Sequence, residues 1–190
     1  MWNHRNQIRF KENACPLNQI LPFLKERKAE FQSHHPATLK IQHRNHTRWK
    51  PPDRDFCNVN YDGVVFSEQG RAGIGVVIWN SDGAVMASLS QQVHLPTTVA
   101  QTEALAARRA VEFALEIGLT KVIIEGDSNI VHKDLSNANS SLALHGHLIQ
   151  DVKTLIPYFS NISFNHVCRH GNNAAHELTR RAITSPNLTV

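Results

Sequence analysis

Residues 98–128 read TVAQTEALAARRAVEFALEIGLTKVIIEGDS, and the change of period inside this stretch decides the fold. Thr98 followed three residues on by Gln101 has the capping-box form, so a helix starts there. The Ala-rich run continues to Ile117, and Gly118 ends it. By helical spacing Ala100, Glu103, Ala107, Ala110 and Ala114 share one face. Small residues there let the helix lie close on a sheet, and Glu103 is the one carboxylate on that face. Lys121–Glu125 is then a short apolar strand, followed by Gly126-Asp127-Ser128.

Working outward, the preceding residues read as three strands joined by short connections. Phe56–Tyr61 alternates, and Asp62-Gly63 follows as its end. Gly73–Trp79 (GIGVVIW) is apolar, Asn80-Ser81-Asp82-Gly83 is a turn, and Ala84–Val93 returns. Downstream, Asn129–Leu135 reads as a short helix and Ser136–Ser141 as a polar loop. Leu142–Tyr158 reads as an amphipathic helix with Leu144, Leu148, Val152 and Leu155 on one face. Asn161–Cys168 alternates as a strand, Arg169–Asn173 turns, and Ala174–Ile183 is a last helix. The order βββ-α-β-α-α-β-α implies an α/β fold, a mixed sheet with helices on its faces.

The whole chain has 190 residues, 41% hydrophobic and 19% charged, which suits a chain with a sizeable core. No apolar run approaches the ~18 residues that span a bilayer. The start, MWNHRNQIRF, has no apolar core of a secretory signal. The three cysteines, Cys15, Cys57 and Cys168, are far apart and form neither a disulfide framework nor a zinc knuckle. A reducing, intracellular compartment is expected, with nucleus and cytoplasm both open. The net charge of +4 is unevenly placed. Residues 1–54 carry 11 basic and 4 acidic side chains, net +7, whereas residues 55–190 carry 9 and 12, net −3. The reading is therefore a basic leader over 1–54, a domain over 55–184 and a tail over 185–190. Within the leader Leu17–Phe31 has near-helical spacing, and Trp49-Lys50-Pro51-Pro52 reads as a linker.

Three carboxylates fall at informative places: Asp62 at the end of the first strand, Glu103 one turn into the first helix, and Asp127 after the fourth strand. Strand ends and a sheet-facing helix residue can converge at one sheet edge. Clustered carboxylates repel one another and stay charged only beside cations. Oxygen-only ligands favour Mg²⁺ or Mn²⁺ over zinc. Two such ions about 4 Å apart can activate water and stabilise a leaving oxygen in phosphodiester hydrolysis. Gly63 and Gly126 would leave room for a phosphate backbone.

In that order and on those elements, the set resembles the type 1 ribonuclease H family, in particular the domains carried by plant non-LTR retrotransposons. The matching stretches are WKPPDRDFCNVNYDGV, GIGVVIWNSDG, QTEALAARRAVEFALEIGL, VIIEGDSNIV and VCRHGNNAAHELTRRA. WNHRNQIRFKE at the start resembles the tail that joins reverse transcriptase to this domain. The resemblance implies a ribonuclease H-like fold with a five-stranded mixed sheet, three antiparallel strands and then parallel ones. It implies two-metal cleavage of the RNA strand of RNA–DNA hybrids, with Asp62, Glu103 and Asp127 as metal-binding acids. A monomer that binds nucleic acid and no membrane is expected.

The fourth family position departs from the pattern. Asn172-Asn173-Ala174-Ala175-His176-Glu177-Leu178 aligns with N-x-x-A-D-x-L, so His176 stands where the family has Asp. A neutral imidazole there could ligate a metal, favouring Mn²⁺, or relay a proton. Glu177 points about 100° away on a helix and is a poor substitute. His170 lies where catalytic members place a mobile histidine, and Arg169 is placed for phosphate contact. The Asn pair with which the family contacts RNA is Val99-Ala100 here. Gly63, Gln101, Ser128 and Asn172 are the remaining nucleic-acid contacts expected. The alternative is a retrotransposon-derived module that binds nucleic acid with weak or absent turnover. A proofreading exonuclease would need Asp-x-Glu on the first strand, and an integrase-type site would place its Glu last; neither order occurs.

Overall fold

The computed structural model describes residues 49–137, 142–184 and 189–190, with Gln19, Pro22 and Lys25–Arg27. The chain forms two compact units, residues 1–46 and 47–190. In the first, Gln19, Pro22 and Lys25–Arg27 are helical, and the rest of the helix expected over Leu17–Phe31 lies outside the described residues.

The second unit is built on a five-stranded sheet. Its strands are β1 (Cys57–Phe66), β2 (Arg71–Trp79), β3 (Val85–His94), β4 (Lys121–Gly126) and β5 (Asn161–His166). Their spatial order is β3-β2-β1-β4-β5. β3, β2 and β1 pair antiparallel, whereas β1–β4 and β4–β5 pair parallel. The helices are α1 (Val99–Glu116), α2 (Asn129–Ser136), α3 (Gly146–Leu155) and α4 (Asn173–Thr184). This is the element order and the mixed sheet that the sequence predicts. No helix among the described residues is long and apolar enough to cross a membrane.

The main core lies between one sheet face and α1. Val59 and Tyr61 of β1, Ile74, Val76 and Ile78 of β2, and Ile124 of β4 meet Ala107, Ala110, Val111 and Ala114 of α1. Each of these apolar side chains removed from water stabilises the fold by roughly 1.5–3 kcal/mol when large. The alanines contribute closeness instead, since they let the helix axis approach the sheet. The opposite face carries α4. There β2 presents Gly73 and Gly75, and a Cβ on either would run into the backbone of Thr179 or Ala175. Ser90 Oγ donates to Leu178 O (2.8 Å) and Gln92 Nε2 to Ala182 O (3.3 Å), fixing α4 to β3.

Several boundaries differ from the sequence reading. β1 does not end at Asp62 but runs on to Phe66, because β2 pairs with it through Phe66↔Arg71. Its pairing with β4 stops earlier, at Asn60↔Glu125. Asp62 is therefore mid-strand yet just past the end of its parallel neighbour. The helix expected from Leu142 begins only at Gly146. Leu142 and Leu144 are exposed, and His145 is buried before the first turn with Nε2 2.7 Å from Asp134 Oδ2. Burying that imidazole against α2 fixes the start of α3 and leaves Leu144 outside. Trp49–Arg54, grouped by sequence with the leader, belong to the compact unit. The Trp49 ring lies 5.2 Å from that of Trp79, and its Nε1 donates to Glu125 Oε2 (3.3 Å). In the tail, Thr189 exchanges both backbone hydrogen bonds with Ser90 on the edge strand β3.

Candidate metal centre

Parallel pairing of β1 with β4 brings two of the acids together. Asn60 is level with Glu125, so Asp62 and Asp127 lie two residues further along neighbouring strands. Glu103 arrives from α1, whose start is fixed by the capping box. Thr98 Oγ1 accepts from Gln101 N (3.2 Å) while Gln101 Oε1 accepts from Thr98 N (3.1 Å). Glu103 then faces the sheet one turn on. One ligand oxygen from each of Asp62, Glu103 and Asp127 lies within 4.8 Å of the others, close enough to hold a metal ion.

The surroundings disfavour the charged form of the acids. Asp62 is 4% exposed. Burial pushes its carboxyl up, while the hydrogen bond from His176 opposes the shift and the Asp127 charge adds to it. Glu103 is pushed up to about 9, first by burial and then by the charges of Asp62 and Asp127. The Gly63 N–H and the charge of Arg169 act the other way. Glu103 Oε2 is buried and has no protein donor. A buried carboxylate oxygen is costly unless something positive or donating meets it. A hard divalent cation shared by the three acids would supply that partner, so the residues present fit such an ion.

His176 is brought to the site by α4. Asp62 is level with Gly75 across β1–β2, and the absent side chain at Gly75 lets α4 lie against the sheet there. His176 Nδ1 is 2.7 Å from Asp62 Oδ2. Among the described residues, the set able to share an ion is the three carboxylates, and His176 stands beside it, bound to one member.

The other expected contacts divide. Arg169 is exposed and acts electrostatically on Glu103, so it stands beside the acids. His170 is exposed and borders a 190 Å³ cleft with Trp49, Trp79 and Asn60. Ser128 caps α2, its Oγ accepting from Val131 N at 3.5 Å. Gln101 is engaged at both ends of its amide, in the cap and through Nε2 to Leu144 O (3.3 Å). Asn172 is buried and its Nδ2 donates to Tyr61 O (2.8 Å), tying the β5–α4 turn to β1. Gly63 has a packing reason: a Cβ there would lie 2.8 Å from Thr102 O of α1. Gly126 likewise makes room for the Tyr61 ring. These glycines admit protein neighbours on their Cβ sides.

Tyr61 was not singled out by sequence. Its hydroxyl is driven up by burial and by the charges of Glu103, Asp127 and Asp62, so it stays protonated beside all three acids. Its only sequence signal is its place next to Asp62, on the strand face opposite to that residue.

Comparison with solved structures gives the same fold. RNase H1 from the halophilic archaeon Halobacterium salinarum NRC-1 superposes with a TM-score of 0.63 at 26% identity, over 68% of this chain and 98% of that one. The N-terminal RNase H domain of rv2228c from Mycobacterium tuberculosis gives 0.62 at 23% identity, over 69% and 95%. LC11-RNase H1, isolated from compost by a metagenomic approach and solved in complex with RNA/DNA hybrid, gives 0.59 at 24%, over 67% and 96%. No curated protein matches the chain. The mixed sheet and its flanking helices are thus a ribonuclease H fold. The sequence profile described as "Reverse transcriptase-like" matches residues 60–182, a span from just before Asp62 to past His176, and the chain belongs to that family.

Proposed function

We propose that this protein is a metal-dependent nuclease acting on the RNA strand of RNA–DNA hybrids. The observation that carries the reading is the convergence of Asp62, Glu103 and Asp127 from three separate elements, with Glu103 Oε2 buried and lacking a donor. Mg²⁺ or Mn²⁺ held there would activate water and offset charge on the phosphate during phosphodiester hydrolysis. The chain's own groups do the rest. His176 holds Asp62 in one rotamer through Oδ2. The Gly63 N–H favours the ionised form of both Asp62 and Glu103. Arg169 places a permanent positive charge at the rim, where it attracts a phosphate and steers the backbone toward the acids. The hybrid-bound relative at 24% identity supports the fold argument; the 26%-identical RNase H1 supports the activity. Descent from a mobile element is proposed on the N-terminal resemblance.

The test is cleavage of a labelled RNA–DNA hybrid in Mg²⁺ and in Mn²⁺, with Asp62→Asn as control. Cleavage that the substitution lowers by at least 100-fold supports the reading. Retained hybrid binding with no cleavage in either metal makes the protein a binding module instead.

A further inference from the structure

We infer that the outer edge of β3 is a strand-docking surface for a second copy of this chain, and that Thr189 holds that copy off. β3 ends the sheet, with β2 as its neighbour on one side. An edge strand offers a row of backbone N–H and C=O groups with which another extended segment can pair. Thr189 already does so. Ser90 N donates to Thr189 O (3.0 Å) and Thr189 N to Ser90 O (3.1 Å), an antiparallel bridge. Both backbone groups of Ser90 therefore face away from β2. The β2–β3 register is unbroken from Ala87↔Ile78 to His94↔Arg71, so alternation turns Ser88 and Gln92 the same way. On that side Ser88 has no backbone partner among the described residues.

Proteins commonly guard such an edge with charged side chains, proline or an irregularity. β3 reads VMASLSQQVH and contains no Asp, Glu, Lys, Arg or Pro. Its irregularity, opposite Ile78 and Trp79, lies at the Val85 end, where Val85 and Met86 are each 53% exposed. From Ala87 to Val93 the strand is regular and carries no ionisable side chain. What guards it is the bridge at Ser90, near the middle of the strand, which interrupts the array for any incoming segment. A second β3, turned about a two-fold axis, presents the same antiparallel array over the same length. It also sets no charge against a like charge. That self-complementarity is what names a second copy as the partner.

The test is Thr189→Pro in the full chain. The proline ring carbon takes the place of the amide hydrogen and runs into Ser90 O, 3.1 Å from that nitrogen, so the bridge cannot form. Sedimentation velocity over a concentration series should show one chain for the wild type and a concentration-dependent dimer for Thr189→Pro. Adding Ser88→Pro should restore the single chain, because the Ser88 N–H points away from β2 and its loss spares the ladder. Ser88→Lys, which puts a charge on the edge, should do the same with every backbone donor kept. Circular dichroism melts confirm that each variant folds. By hydrogen exchange the Ser90 amide should be protected in the wild type and exchange at least about 10-fold faster in dilute, monomeric Thr189→Pro. A Thr189→Pro chain that stays monomeric overturns the inference, as does a dimer that survives both Ser88 substitutions. A wild type that dimerises as readily, or whose Ser90 amide is unprotected, overturns the role of Thr189.

Discussion

At the residue scale the informative group is Glu103. A carboxyl on the sheet side of an Ala-rich helix is read from the sequence as either lost at a rim or wanted in a site, and the fold places it beside Asp62 and Asp127, close enough to share a metal ion. Its proton is held to about pH 9 in the folded, ion-free protein, against 4.5 for the same group when solvated. The unfolded chain therefore binds fewer protons than the folded one between those values. Stability is greatest below pH 4.5 on this account, and falls as pH rises toward 9. Asp62, raised in the same direction, adds to the slope. In EDTA, thermal melts should fall with pH more steeply for the wild type than for Glu103→Gln. Saturating Mg²⁺ should flatten the wild-type curve, since the ion offsets the charge that burial disfavours. Equal slopes for wild type and Glu103→Gln in EDTA would remove Glu103 as the source.

At the element scale the site depends on how closely two helices approach the sheet. α1 is legible in sequence because its cap, its alanines and its terminal glycine all agree. The placement of α4 is not, because it depends on contacts between segments distant in the chain. Gly73 and Gly75 look like ordinary strand glycines in GIGVVIW, and only the crossing of α4 explains them. The D…E…D set is legible because each acid lies on, or just after, an element that periodicity can find. What His176 does was not, since both ligation and proton relay were open and the 2.7 Å bond to Asp62 depends on the α4 crossing. Gln101 and Asn172 are expected from the sequence to contact nucleic acid, and nothing in the sequence signals that their amides also bond the backbone. Gly75→Ala tests the crossing directly. The added methyl meets the Ala175 carbonyl and the Thr179 amide, backbone that cannot rotate away. A loss of roughly 1–3 kcal/mol in urea unfolding is expected, together with weaker hybrid cleavage as His176 shifts from Asp62. A neutral effect on both would show that α4 moves freely on the sheet.

At the scale of the whole molecule the charge is divided much as the sequence indicates, but the division falls earlier. Trp49 packs on Trp79 and bonds Glu125, and Pro52 is buried, so a cut before Asp55 would remove part of the compact unit. A cut after Arg48 leaves these contacts intact. Residues 49–190 then hold 11 basic and 13 acidic side chains, net −2, and residues 1–48 carry +6. The basic excess that would attract a polyanion at long range therefore lies in the first 48 residues. Each phosphate neutralised contributes about −0.9 to the slope of log affinity against log salt for duplex DNA. Removing residues 1–48 should weaken hybrid binding and flatten that slope by several units if most of their charges meet phosphates. Cleavage at saturating hybrid should be kept, because Asp62, Glu103, Asp127 and His176 all remain. The cleavage rate separates loss of attraction from loss of fold, and the 49–190 chain should melt as cooperatively as the full one. An unchanged salt slope would mean that Arg169 and its neighbours alone meet the phosphates, and that the basic segment takes no part in holding the substrate.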